Sequence, residues 1–173
     1  MPSLPLHPAI VHVPIGLAVV LPLIAVGIAL AVRAGRLPRA AFAVVVLLQA
    51  LLVGSGVAAY LAGEKDEHVA ERVIAEELIE GHEERAEAFL WASGVVLAGA
   101  GALLVVPAGA VGLVSAAVAA GTVAVTALGL WTGRAGGELV YVHGAAQAWR
   151  APVAPQGDPG VLPARDARHR DDD

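Results

Sequence analysis

The sequence predicts an all-α integral-membrane protein. The expected form is a four-helix up-down bundle, with a short amphipathic interfacial helix between spans 2 and 3. Three observations predict it. The chain has 173 residues, is 57% hydrophobic and only 16% charged, too little charge for the surface of a soluble domain of this size. Charged side chains are missing in long runs: none before Arg33, none from Ala40 to Gly63, none from Ala88 to Gly133. Segments such as Ala43-Val44-Val45-Val46-Leu47-Leu48 do not alternate polar with apolar, as a membrane β-barrel would require. Helices satisfy their own backbone in lipid, so each run is expected to be helical.

The first span is expected over 10–32. Pro8 and Pro14 sit near its start, where a missing N–H is tolerated. Pro14 would be the first helical residue, leaving His12 in the entry segment, and Pro22 should kink the helix. The stretch lacks the basic flank of a secretory signal and is expected to stay in the membrane. A loop with Arg33, Arg36 and Arg39, broken by Gly35 and Pro38, leads to a second span over 40–62. Small residues from Gly54 to Gly63 suit close helix packing in lipid.

The segment from Glu64 to Glu87 holds ten acids against three bases. Val69, Val73, Ile74 and Leu78 recur in it at helical spacing, which predicts the amphipathic surface helix, ended by Gly81. The uncharged run after it is too long for one span. Pro107-Ala108-Gly109-Ala110 divides it into spans over 86–106 and 110–132. Arg134 and Glu138, four apart, are placed to pair on one helix face. Residues 1–150 thus form the transmembrane domain. The tail 151–173 has four prolines, many charges and no apolar periodicity, and reads as disordered.

Composition also excludes. Without cysteine there are no disulfides, no thiolate-held iron–sulfur clusters and no covalent haem attachment. A net charge of −5 without a basic stripe argues against nucleic acid. No serine–histidine–acid pattern, phosphate loop or dinucleotide fingerprint is present. These absences favour an electron-transfer or structural subunit over a stand-alone enzyme.

Hairpin connections would bring four histidines to one membrane face: His7 and His12 before the first span, His82 before the third and His143 after the fourth. Tyr60, Phe89, Trp91, Trp131 and Tyr141 fall on the same side as an aromatic belt. The first span has no base before it and three arginines after it. That places the arginine loop inside, and the histidine side and both termini outside. Lys65, Arg72, Arg85, Arg134 and Arg150 on the histidine side weigh against this orientation.

The segment His7-Pro8-Ala9-Ile10-Val11-His12-Val13-Pro14-Ile15-Gly16-Leu17 resembles the opening signature of a prokaryotic membrane family catalogued as domain of unknown function 2231. That signature is His-Pro, a short gap, then Val-His-Phe-Pro-Ile; Val13 here replaces the phenylalanine. The glycine–alanine run to Gly63, His82 opening the third helix, and Gly136-Gly137-Glu138-Leu139-Val140-Tyr141-Val142-His143-Gly144 extend the similarity over about residues 5–147. The resemblance implies a four-helix domain of the prokaryotic cytoplasmic membrane. It also implies cytochrome or Rieske-type partners, and so redox company without an assigned activity.

Imidazoles at one end of a lipid-embedded bundle are candidate ligands for haem iron or another metal. A b-type haem needs axial imidazoles from facing helices and an apolar slot, with His12 or His7 pairing with His143 or His82. Copper or zinc on three or four imidazoles is the second metal reading. A di-iron Glu-x-x-His pattern is not met, since Ile79 and Val140 occupy the glutamate positions. A structural or anchoring subunit, whose histidines only bond locally, is the alternative to all of these. His68 and His169 are assigned to solvent. Exposed small-residue faces suit a homo-oligomer or a larger membrane complex. The polar residues within the spans, Gln49, Ser55, Ser93, Ser115, Thr122 and Thr126, are expected to bond across helices or to their own backbone.

Overall fold

A computed structural model describes residues 5–150, and these are all-helical. A single turn, α1 (His7–Ile10), precedes four long helices: α2 (His12–Arg33), α3 (Phe42–Ala70), α4 (Glu76–Ala102) and α5 (Val111–Tyr141). Short 3₁₀ turns lead into α3 and α5, and a further one, Ala145–Trp149, follows α5. The tail read as disordered lies outside the described residues.

Three helical stretches are long and apolar enough to cross a membrane: His7–Arg33, Arg39–Ala70 and Ala108–Tyr141. They contain the expected first, second and fourth spans. Helix α4 does not reach the same standard. Its first turns carry Glu76 to Glu87, and its uncharged part ends at Ala102 and is diluted by Gly94, Gly99 and Gly101. The residues Leu103–Val106, expected to complete that span, form the turn into α5 instead.

The expected surface helix is absent among the described residues. Helix α3 runs unbroken through Gly63 to Ala70, and α4 starts at Glu76, so Gly81 lies inside a helix. The break falls instead at Glu71–Ala75. There Ala75 is extended, and Glu76 and Glu77 occupy the first turn of α4, where negative charge favours the helix N-terminus. Ile74 and Ile79 bury themselves with Ala145 as a small satellite core. Of the residues at the predicted spacing only Ile74 is buried, while Val73 and Leu78 stay exposed on either side of the break, so the spacing defines no single helix face.

Each long helix packs on two neighbours: α2 on α3 and α5, and α4 on α3 and α5. Hydrogen bonds joining α3 and α4 and their flanking turns run in opposite chain directions, from Arg39–Leu103 in the flanking turns through Gln49–Ser93 to Tyr60–Glu87. Leu21, Phe42, Val45, Leu52, Val96 and Val125 fill the centre. The outer surface is equally apolar, with Leu23, Leu47, Val95 and Leu113 each at least two-thirds exposed. A helix apolar all round suits a hydrocarbon surrounding.

Polar groups inside the spans bond as expected. The buried Gln49 amide donates across to the Ser93 carbonyl at 3.0 Å. Ser93, Ser115 and Thr122 donate to carbonyls three or four residues earlier. Thr126 carries a different duty. Pro22 lies inside α2 and has no N–H for the carbonyl of Ala18, four residues back. The Thr126 hydroxyl reaches across from α5 to that same carbonyl, and also to its own Thr122 carbonyl. Phe89, expected in an aromatic belt, is buried in the core. Trp91, Trp131 and Tyr141 are exposed, and the Arg85 guanidinium lies 4.9 Å over the Trp131 ring.

Candidate functional site

One end of the helix assembly gathers α1, the charged ends of α3 and α4, the end of α5 and the last 3₁₀ turn around a largely apolar cavity of about 550 Å³. That volume falls in the range of ligand sites. Two imidazoles meet on its wall. The His7 and His82 rings are 6.0 Å apart between centroids and nearly perpendicular, at 86°.

The local sequence explains how each ring is held. Pro8 starts α1 without breaking it, and the turn lays His7 against α3. His7 Nδ1 is 2.8 Å from the Ala59 carbonyl, an acceptor only, so this nitrogen carries the proton and donates. The lone pair is then left on Nε2, as in histidines that ligate metals. The backbone N–H of His7 donates to Asp66 at 3.3 Å. Ala59, Gly63 and Asp66 lie at i, i+4 and i+7 on one face of α3. A Cβ on Gly63 would stand 3.1 Å from His7 Nδ1, so the ring occupies the space a side chain would need.

His82 sits on α4 in the mirrored situation. Gly136 of α5 faces it, and a Cβ there would stand 3.1 Å from its Cε1. Its Nδ1 is buried without a hydrogen-bond partner. Burial, and next the neighbouring His7, hold the His82 imidazole below its ordinary value of 6.5, so it is neutral at physiological pH. Glu83 beside it is pushed up by burial and by the surrounding carboxylates, Glu67 first. Asp66, Glu67 and Glu83 give the cavity mouth an acidic character, and no lysine or arginine lines it among the described residues.

The four sequence-predicted histidines therefore divide. His7 and His82 come together. His12 starts α2, lines the cavity and is otherwise exposed. His143 lies beyond α5, exposed and outside the cavity lining, so the structure brings it to no other histidine. Among the described residues no three histidine, aspartate or glutamate side chains converge to hold a bare metal ion. His68 is exposed, with its ring 3.6 Å from Glu71; His169 lies outside the described residues.

Sequence reasoning missed Asp66, Gly63 and Gly136 as parts of the site. Both glycines stand in small-residue stretches, Gly63 closing the run from Gly54 and Gly136 opening Gly136-Gly137. Asp66 would have been found by continuing the second helix past Gly63. Gly144, at φ +77°, adopts the left-handed turn that folds Ala145–Trp149 back over the cavity, so His143-Gly144 works as a chain reversal. No family model, curated protein or solved structure matches the chain, so the site is read from its own residues.

Proposed function

We propose that this chain is a multi-pass protein of the prokaryotic cytoplasmic membrane that binds a b-type haem through His7 and His82 and transfers electrons, alone or as a subunit of a redox complex. In this reading α4 is the third of four spans of an up-down bundle. The opposed contacts along α3 and α4, and the apolar exterior, support it. The resemblance to the family of unknown function 2231 agrees with this form and leaves the activity open.

The single observation that carries the reading is the pair of rings from two different helices, 6.0 Å apart on the wall of an apolar cavity. The residues fit a haem on three counts. His7 has its Nδ1 proton tied to a carbonyl and Nε2 free. His82 has an orphaned buried nitrogen and is held neutral. A donor set of two imidazoles suits a macrocycle that brings its own four nitrogens, whereas bare zinc wants three or four protein ligands. His12 on the cavity wall is the group placed to meet a propionate.

Bound there and held by His7 and His82, a haem would supply a one-electron couple. The chain's own part is to orient the two rings, exclude water through Phe89 and the apolar wall, and set the potential by burial. The acidic mouth, with Asp66, Glu67 and Glu83, favours a basic or neutral redox partner on the outer side.

The test is optical. The detergent-solubilised chain, produced with haem supplied, should show a Soret band and a sharp reduced α-band. His7→Ala and His82→Ala should each lose the low-spin spectrum, while His143→Ala keeps it. A protein that stays colourless and takes up no haemin refutes the proposal. Metal analysis of that colourless sample then separates copper or zinc binding from a purely structural subunit.

A further inference from the structure

On the outer surface between α3 and α4, adjoining the histidine cavity through Tyr60 and Leu90, lies a groove of about 400 Å³. It is lined by Tyr60, Glu87, Leu90, Trp91 and Gly94. Its composition changes along its length. Glu87 is the last charged residue before the uncharged run that begins at Ala88, so it marks the level where α4 leaves the polar zone. Trp91 and Gly94 follow at i+4 and i+7, on the same face of the helix and progressively deeper. The Tyr60 hydroxyl donates to Glu87 Oε1 at 3.1 Å from the facing helix. The second oxygen of Glu87 takes no hydrogen bond among the described residues, and no lysine or arginine lines the groove. The Trp91 side chain is 77% exposed, and at Gly94 an added Cβ would meet nothing within 4 Å.

An unneutralised carboxylate between a phenol and an exposed indole, at the edge of a hydrocarbon-facing surface, is complementary to a cation that arrives attached to an apolar chain. We propose that this groove binds a phospholipid with a primary ammonium head group. The ammonium rests on Glu87 and against the Tyr60 and Trp91 rings, and an acyl chain runs along Leu90 and over the gap at Gly94. A primary ammonium is preferred to a quaternary one because it can donate a hydrogen bond to the free carboxylate oxygen. A lysine from another protein would match the charge, but not the apolar continuation toward membrane depth.

The full chain is reconstituted in phosphatidylglycerol vesicles with Trp131 and Trp149 replaced by phenylalanine, so that Trp91 alone fluoresces. Brominated phosphatidylethanolamine, phosphatidylcholine or phosphatidylglycerol is then titrated in. The ethanolamine lipid should quench Trp91 at a mole fraction about two- to fivefold lower than the others, the range expected of an exposed cation–π contact. Glu87→Gln should erase that preference without changing quenching by phosphatidylglycerol. Equal quenching by all three lipids, a preference for the anionic one, or a preference that survives Glu87→Gln overturns the proposal. Should the tryptophan replacements fail to fold, native mass spectrometry of the unmodified chain and of Glu87→Gln asks the same question. Ethanolamine-lipid adducts should be retained by the first and at least halved in the second, and equal retention refutes the site.

Discussion

Two adjacent glycines of α5 should respond differently to the same substitution. At Gly136 an added Cβ stands 3.1 Å from His82 Cε1 and 3.6 Å from both ring nitrogens, whereas at Gly137 nothing lies within 4 Å. Carbon atoms pack best at about 3.5–4.0 Å, so Gly136→Ala must push the ring or α5 by roughly half an ångström. Overpacking of this kind costs about 1–3 kcal/mol. Alanine regains about 0.5–1 kcal/mol of helix propensity at either position. Gly137→Ala should therefore stabilise by about 0.5–1 kcal/mol. Gly136→Ala should range from near neutral to about 2 kcal/mol destabilising once that gain is set against the overpacking. The difference between the two, about 1–3 kcal/mol, is the quantity that reports the contact with His82, because propensity cancels in it. Equilibrium unfolding in mixed detergent measures both. Equal effects at the two positions would refute the argument that Gly136 is small in order to admit the imidazole. In a protein that takes up haem, Gly136→Ala should also shift or weaken the Soret band while Gly137→Ala leaves it in place.

Further outcomes follow from the same contacts. Because His82 is held below its ordinary value, the unfolded chain binds a proton that the folded chain refuses, so stability is fully present above about pH 6.5 and falls as pH drops below it. Thermal unfolding of the cofactor-free protein should show a lower midpoint at pH 5.5 than at 7.5, and His82→Phe should flatten that slope; an unchanged slope removes His82 as the cause. Thr126→Val should cost about 1 kcal/mol, in the range of interhelical hydrogen bonds in membranes. In a Pro22→Ala background, where the Ala18 carbonyl regains a backbone partner, the same change should cost clearly less, and strict additivity would show that Thr126 does not serve the proline gap.

Charge-free runs and the Pro107 turn located the starts of three candidate spans to within three residues, because hydropathy over about 20 residues is a property of the segment alone, but two of the helices run on past the expected ends, to Ala70 and Tyr141. Helix ends near Gly63 and Gly81 were not legible for a specific reason. A glycine inside a helix is read from sequence as a breaker, yet Gly63 is there because His7 packs onto it, and that is a tertiary fact. The same contact explains the histidines. That His7, His12 and His82 meet at one end of the assembly was readable from hairpin alternation. Their partners were not, since His7 and His12 belong to separate helices divided at Val11, and only the packing of α1 on α3 turns His7 toward His82. Phe89 was assigned to an interface by its position along the span, whereas its direction around the helix puts it in the core, where its ring would lie 3.2 Å from a Cβ on Gly129.

The proline in α2 has an effect on register that its role as a bend does not convey. By withholding one amide it leaves the carbonyl of Ala18 without its usual partner four residues on, and Thr126 answers it from α5 at one height. Sliding the two rods past each other by one residue, about 1.5 Å, would strand that oxygen in oil. The pair thus acts as a notch and key. It fixes the vertical offset of α2 on α5, and with it how far His12 and Pro14 stand above Gly136 on the wall they share.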